Sequence, residues 1–154
     1  RWKRRLANST ASRVGHSEQM LRSLALSKVQ TIKPSGRAQS VYLRLPVLMR
    51  SKQEKDAVCR TSADQGLGIS PLYPSSLQYI AELRDTLSSQ NVPQSTMIAE
   101  RLVTLPIHEF VSDSDLVRIC SVIQAAQRVD GAATIRRPDI TNGQRHAPEL
   151  PRNI

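Results

Sequence analysis

Residues 99–123 read AERLVTLPIHEFVSDSDLVRICSVI. The apolar period changes twice along this stretch. Met97, Ile98 and Leu102 suit a short helix opening after Pro93, a residue with no amide proton to leave unpaired in a first turn. Val103-Thr104-Leu105 then reads as extended, up to Pro106. Beyond it, Ser112 can cap a helix, Asp115 sits at the third helical position, and Val111 can staple onto Leu116. Leu116, Ile119, Cys120 and Ile123 continue as one apolar stripe.

Working outward, Val41, Leu43, Leu45, Val47 and Met49 alternate with Tyr42, Arg44, Pro46 and Leu48, the period of a strand. Pro46 has no amide proton, so this strand is expected at a sheet edge or bulged there. Ser51 and Glu54 have capping-box spacing for a helix that Gly66 can end. Leu67 to Ser70 is short enough for a second strand, and Pro74-Ser75-Ser76 opens a helix carrying Leu77, Ile80, Leu83 and Leu87. Strands alternating with helices give the fold class: α/β (α+β), a small sheet with helices packed on it.

The chain then divides into three: a basic helix and linker at 1–40, a small α/β domain at 41–126, and a disordered tail at 127–154. In the first part Ala7, Ala11, Val14, Leu21 and Ala25 recur at helical spacing, and Lys33-Pro34-Ser35-Gly36 reads as a turn. In the tail, Gly131, Pro138, Gly143, Pro148 and Pro151 punctuate a polar stretch. It has too little apolar surface to offset its ordering entropy. Charge follows the same division. Residues 1–52 hold 12 basic groups and one acidic group, 53–127 hold 5 and 9, and 128–154 hold 5 and 3. The basic excess lies outside the expected core, and aromatics make up only 3% of the chain, which disfavours nucleic acid as a partner. No apolar run approaches the roughly 20 residues of a membrane helix. The basic start, Arg1, Lys3, Arg4 and Arg5, leads into no secretory apolar segment. Cys59 and Cys120 have no Cys-x-x-Cys partner and read as reduced thiols on buried helix faces, implying a cytoplasmic setting.

Chemistry is sparse. The sequence has no phosphate loop, nucleophile elbow or paired-cysteine zinc pattern, and Gly66-Leu67-Gly68 reads as a helix stop leading into a strand. His16 and His146 have no site around them. His108 follows a strand end, where α/β folds often open ligand crevices, and it reads either as site-facing or as a hydrogen-bonded structural residue. Asp113 and Asp115 could join it at a metal, but both are already explained as first-turn acids favoured by the helix dipole. No catalytic, cofactor-binding or metal-ligating residue is therefore expected.

The order of these segments resembles the C-terminal part of the DegT/DnrJ/EryC1/StrS aminotransferases, the sugar aminotransferases that use pyridoxal phosphate (PLP). Arg44, Pro46, Gly68, Ile69, Tyr73 and Pro74 carry the first half of the resemblance. Ala99, Arg101, Leu102, Leu105, Pro106, His108, Asp113 and Asp115 carry the second. The resemblance implies the small domain of a fold-type I PLP enzyme, matched over about Val41 to Ile123. It implies that Ser70 and Tyr73 face a nucleotide-sugar substrate, with Arg44 directed at an anionic group. It also implies that the large domain, with its Schiff-base lysine in a Ser-x-x-x-Lys segment, is missing from these residues. Lys28, Lys33, Lys52 and Lys55 lie in the wrong contexts to replace that lysine. No cofactor is then expected in this chain itself, PLP and homodimerisation belonging to the complete enzyme. The competing readings are a non-enzymatic interaction or structural module whose basic ends bind an acidic partner, and a nucleic-acid binder.

Overall fold

Period-2 alternation builds the central strand. Leu45 and Val47 within β2 (Arg44–Leu48), and Met49 just beyond it, are fully buried. The sequence pattern starts this strand at Val41, but Val41 and Leu43 stay exposed and pairing begins only at Arg44. The structure, a computed structural model, describes residues 1–27, 29–32, 40–87 and 92–133. Before β2 come α1 (Trp2–Leu24) and β1 (Gln30–Thr31). After it come α2 (Lys52–Asp64), β3 (Ser70–Pro71), α3 (Arg84–Leu87), α4 (Pro93–Arg101), β4 (Leu102–Pro106) and α5 (Asp113–Ala133).

The strands lie in the order β1-β2-β4-β3, and every pair is antiparallel. Pro46 does not put β2 at the edge as expected, because β2 lies between β1 and β4. The proline is tolerated for a local reason. β1 pairs only with Val47 and Leu48, so at Pro46 β4 is the sole flanking strand. One face of this sheet makes the core. Leu45, Val47, Val103, Leu105 and Ile107 share a cluster with Met20 and Leu24 of α1, Val58 of α2, and Leu116, Ile119 and Ile123 of α5. This is the small α/β sheet with helices packed on it that the sequence implied.

Helix ends follow local chemistry. The Ser51 hydroxyl accepts from the Glu54 amide at 3.1 Å, while the Glu54 carboxylate reaches back to the Arg50 amide at 3.0 Å. At the other end of α2, Gly66 adopts φ +66°. Its amide donates to Ala63 O at 3.3 Å and the Leu67 amide donates to Ser62 O at 2.9 Å, the two bonds of a Schellman stop. α5 opens on a reciprocal capping box: the Asp115 amide donates to Ser112 Oγ at 3.2 Å, and the Ser112 amide donates to Asp115 Oδ2 at 3.3 Å. The Ser112 hydroxyl also donates to Asp115 Oδ2 at 2.7 Å, and this bond, with that from the Ser112 amide, holds the Asp115 carboxyl below its ordinary range. Ser112→Ala should lower the unfolding free energy by about 1 kcal/mol in urea titrations. An unchanged midpoint would show that the cap contributes nothing.

Four local expectations are corrected. The helix expected from Pro74 to Leu87 is instead two 3-10 turns, Leu77–Tyr79 and Ala81–Leu83, followed by the short α3. There Ser76 Oγ lies 3.2 Å from Thr96 Oγ1 and Gln78 Nε2 donates to it at 2.7 Å, tying the segment to α4. Leu102 starts β4 rather than ending the preceding helix. The buried face of α1 is Ser17, Met20 and Leu24, not the Ala7, Ala11, Ala25 side of the helix. Finally, α5 runs on to Ala133, past the point where apolar spacing stops. Backbone hydrogen bonding propagates a started helix without needing such spacing, and Arg50 Nη2 donates to Gln127 O at 2.9 Å. Lys33-Pro34-Ser35-Gly36 and residues 134–154 lie outside the described residues.

Candidate functional site

Register places three polar side chains in a row. Arg44 pairs with Pro106 and Ser70 pairs with Thr104, so Arg44, Thr104 and Ser70 all project from the face opposite Leu45, Val103 and Leu105. Arg44 Nε donates to Thr104 Oγ1 at 2.8 Å. Its Nη2 donates to Gly68 O at 2.5 Å, Thr104 O at 3.0 Å and Ser70 Oγ at 3.3 Å. Ser70 Oγ and Thr104 Oγ1 are 3.4 Å apart, and Thr104 Oγ1 donates to Ser70 O at 3.3 Å. Partial burial pulls the Arg44 guanidinium below its usual pKa. Thr104, only 4% exposed, is read in the sequence as part of an extended segment and not as a site residue. Its signal was there, as a lone hydroxyl inside the apolar strand Leu102–Pro106.

Tyr73 follows three residues after Ser70 and is half exposed. Its ring lines a cavity of about 320 Å³ with Tyr79, Lys52, Asp56, Thr96 and Glu100, between α2 and α4. His108 is not part of this group. Its Nδ1 accepts from the Phe110 amide at 3.3 Å and its ring tilts against that of Phe110, centroids 6.0 Å apart. Those contacts are local to the loop between β4 and α5. The structure thus brings Arg44 and Ser70 together, leaves Tyr73 at a neighbouring opening, and gives His108 separate surroundings.

Nothing in the row is activated for catalysis. The partners of the Ser70 hydroxyl are Arg44 and Thr104, and neither is a base. Among the described residues the lysines do not suit PLP either, because a Schiff base needs a free amine in a pocket. Lys52 Nζ binds Asp56 Oδ2 at 2.6 Å, and the buried Lys55 Nζ donates to Ala99 O at 2.6 Å. Lys3 sits on the exposed start of α1, its ammonium 5.8 Å from the centre of the Trp2 ring. Lys28 and Lys33 lie outside the described residues. Among the described residues, no cluster of His, Cys, Asp and Glu could hold a metal ion. Cys59 and Cys120 are unbridged, and burial raises both thiols. No helix among the described residues is long and apolar enough to cross a membrane.

Solved structures share this fold. The aminotransferase TlmJ from Streptoalloteichus hindustanus superposes with TM-score 0.70 at 22% identity, covering 83% of this chain and 34% of TlmJ. DesV from S. venezuelae, solved with a ketimine intermediate, gives 0.69 at 17% identity, covering 81% and 34%. Spr1654 from Streptococcus pneumoniae, in its PMP form, gives 0.69 at 16% identity, covering 80% and 32%. The chain therefore spans about a third of the length of each. No curated protein matches it in sequence. Residues 4–124, from within α1 to within α5, match the profile of the DegT/DnrJ/EryC1/StrS aminotransferase family. The chain belongs to that family.

Proposed function

We propose that these 154 residues are the C-terminal, small-domain portion of a PLP-dependent sugar aminotransferase acting on a nucleotide sugar. The family match over residues 4–124 carries this reading. The coverage of only about a third of TlmJ, DesV and Spr1654 supports it. So does the state of Lys52 and Lys55, whose amines are already engaged. In this reading the lysine, the carboxylate that pairs with the ring nitrogen and the phosphate-binding groups come from a large domain outside this sequence. PLP bound there would supply the electron sink for amino-group transfer. This portion faces the substrate side of the cleft with Ser70 and Tyr73. The complete enzyme is a cytoplasmic homodimer.

The reading is tested by the nucleotides encoding what precedes Arg1. An open frame entering from upstream and encoding a Ser-x-x-x-Lys segment is expected. A stop codon in that frame with no such segment would overturn it. The 154 residues alone are expected to bind no PLP. Titration with PLP followed by borohydride reduction should leave no lysine stoichiometrically modified. One lysine trapped in full yield would show that the chain makes its own cofactor site.

A further inference from the structure

We infer that Arg44 is a positioning residue: its guanidinium clamps three strands and thereby sets the loop that carries Ser70 and Tyr73. Its substrate-side consequence rests on the aminotransferase reading. The clamp itself rests on geometry.

β3 is a two-residue edge strand, joined to β4 through the pairs Ser70–Thr104 and Pro71–Val103. So short a ladder has little hold of its own, and edge segments open readily. Arg44 reinforces it from two strands away. Its Nε and Nη2 grip Thr104 on β4 at 2.8 and 3.0 Å, while Nη2 also reaches Gly68 O at 2.5 Å and Ser70 Oγ at 3.3 Å. A planar fork can span side-chain and backbone acceptors in this way, and a lysine ammonium cannot.

The backbone at Gly68 is suited to this grip. It has φ +73°, which disfavours any side chain, and a Cβ built there would already touch the Pro106 ring at 3.6 Å. On the far side, the Ile69 amide donates to Ser62 Oγ at 2.8 Å, so α2 holds the same segment from the core. Residues 68–70 are thus fastened from both faces just before the chain turns towards Tyr73. Nε and Nη2 of Arg44 are engaged by protein acceptors, so through them the residue acts on a ligand by way of Ser70 and Tyr73.

Hydrogen exchange measured by mass spectrometry on the 154-residue chain tests the clamp. In Arg44→Lys and Arg44→Gln, exchange at residues 68–73 should rise about tenfold, the size of one lost charge-assisted bond. Exchange across 116–123 in α5 should stay within about twofold, since a local opening leaves the global one untouched. Unaltered exchange at 68–73 in both variants would overturn the clamp. So would an equal rise in α5, which marks a residue that merely stabilises the whole fold. Should Arg44→Gln fail to fold, Arg44→Lys carries the test, since it keeps the charge and the stem but not the fork. The measurement needs neither cofactor nor substrate. It therefore fails on the clamp alone, whereas the aminotransferase reading fails on the upstream sequence.

Discussion

Replacing Ile119 by alanine should lower the unfolding free energy by about 2–5 kcal/mol, a large fraction of the roughly 5–15 kcal/mol that holds a domain together. Ile119 is fully buried at the centre of the α5 stripe, with Leu116 one turn before it and Ile123 one turn after. Its side chain belongs to the cluster that contains Leu105 and Ile107 of the β4 region. Truncation removes apolar contact and leaves a cavity that rigid strands cannot close, so both terms add. Val117, two positions away on the same helix, is 61% exposed and serves as the control. Val117→Ala should stay within about 0.5 kcal/mol. Urea titration of both variants gives the comparison. Equal effects would mean that α5 does not present this face to the sheet.

The elements that could be read from the sequence are those whose signals are local and redundant. α5 announces itself through a cap, a staple and a stripe, all within residues 111–123; the structure contains the cap and the stripe, and buries Val111 and Leu116 in one cluster. The start and stop of α2 are legible for the same reason. β1 was invisible because two residues cannot display a period; it exists only because β2 offers it a ladder at Val47 and Leu48. The segment from Leu77 to Leu87 has helical spacing, but Leu77, Tyr79 and Leu83 stay exposed. Without a buried face the spacing does not make a helix, since packing supplies most helical stability.

The site was legible to a different degree. Arg44, Ser70 and Tyr73 could be singled out only through family resemblance, because alternation along a strand says which face a residue takes and not which neighbours it meets. Register supplied the rest. Thr104 became visible once Ser70 was found opposite it, with Arg44 reaching across from β2. His108 does follow a strand end, and its Nδ1 accepts from the Phe110 amide two residues on.

Met20→Ala is expected to have an effect comparable to Ile119→Ala, about 2–5 kcal/mol, although Met20 lies in the segment that composition sets apart as a basic extension. Charge alone suggests that α1 stands outside the core, and its first six residues are indeed exposed. The second half of the helix behaves otherwise. Met20 is 0% exposed and Leu24 1%, and both join the cluster made by β2, β4 and α5. Polar contacts fasten the same helix: Arg13 Nη1 donates to Leu43 O at 2.6 Å, His16 Nδ1 lies 3.2 Å from Ile107 O, and Gln124 Nε2 donates to Ser23 O at 3.1 Å. The two halves should therefore respond in opposite ways. Trp2→Ala, at a side chain 67% exposed, should change stability by no more than about 0.5 kcal/mol. Deleting residues 1–26 removes both Met20 and Leu24, so its expected cost of about 4–10 kcal/mol reaches the total stability of a domain this size. The shortened chain should then lose its cooperative urea transition. If residues 27–154 unfolded cooperatively at the midpoint of the intact chain, α1 would be an appendage and the core would end at the sheet.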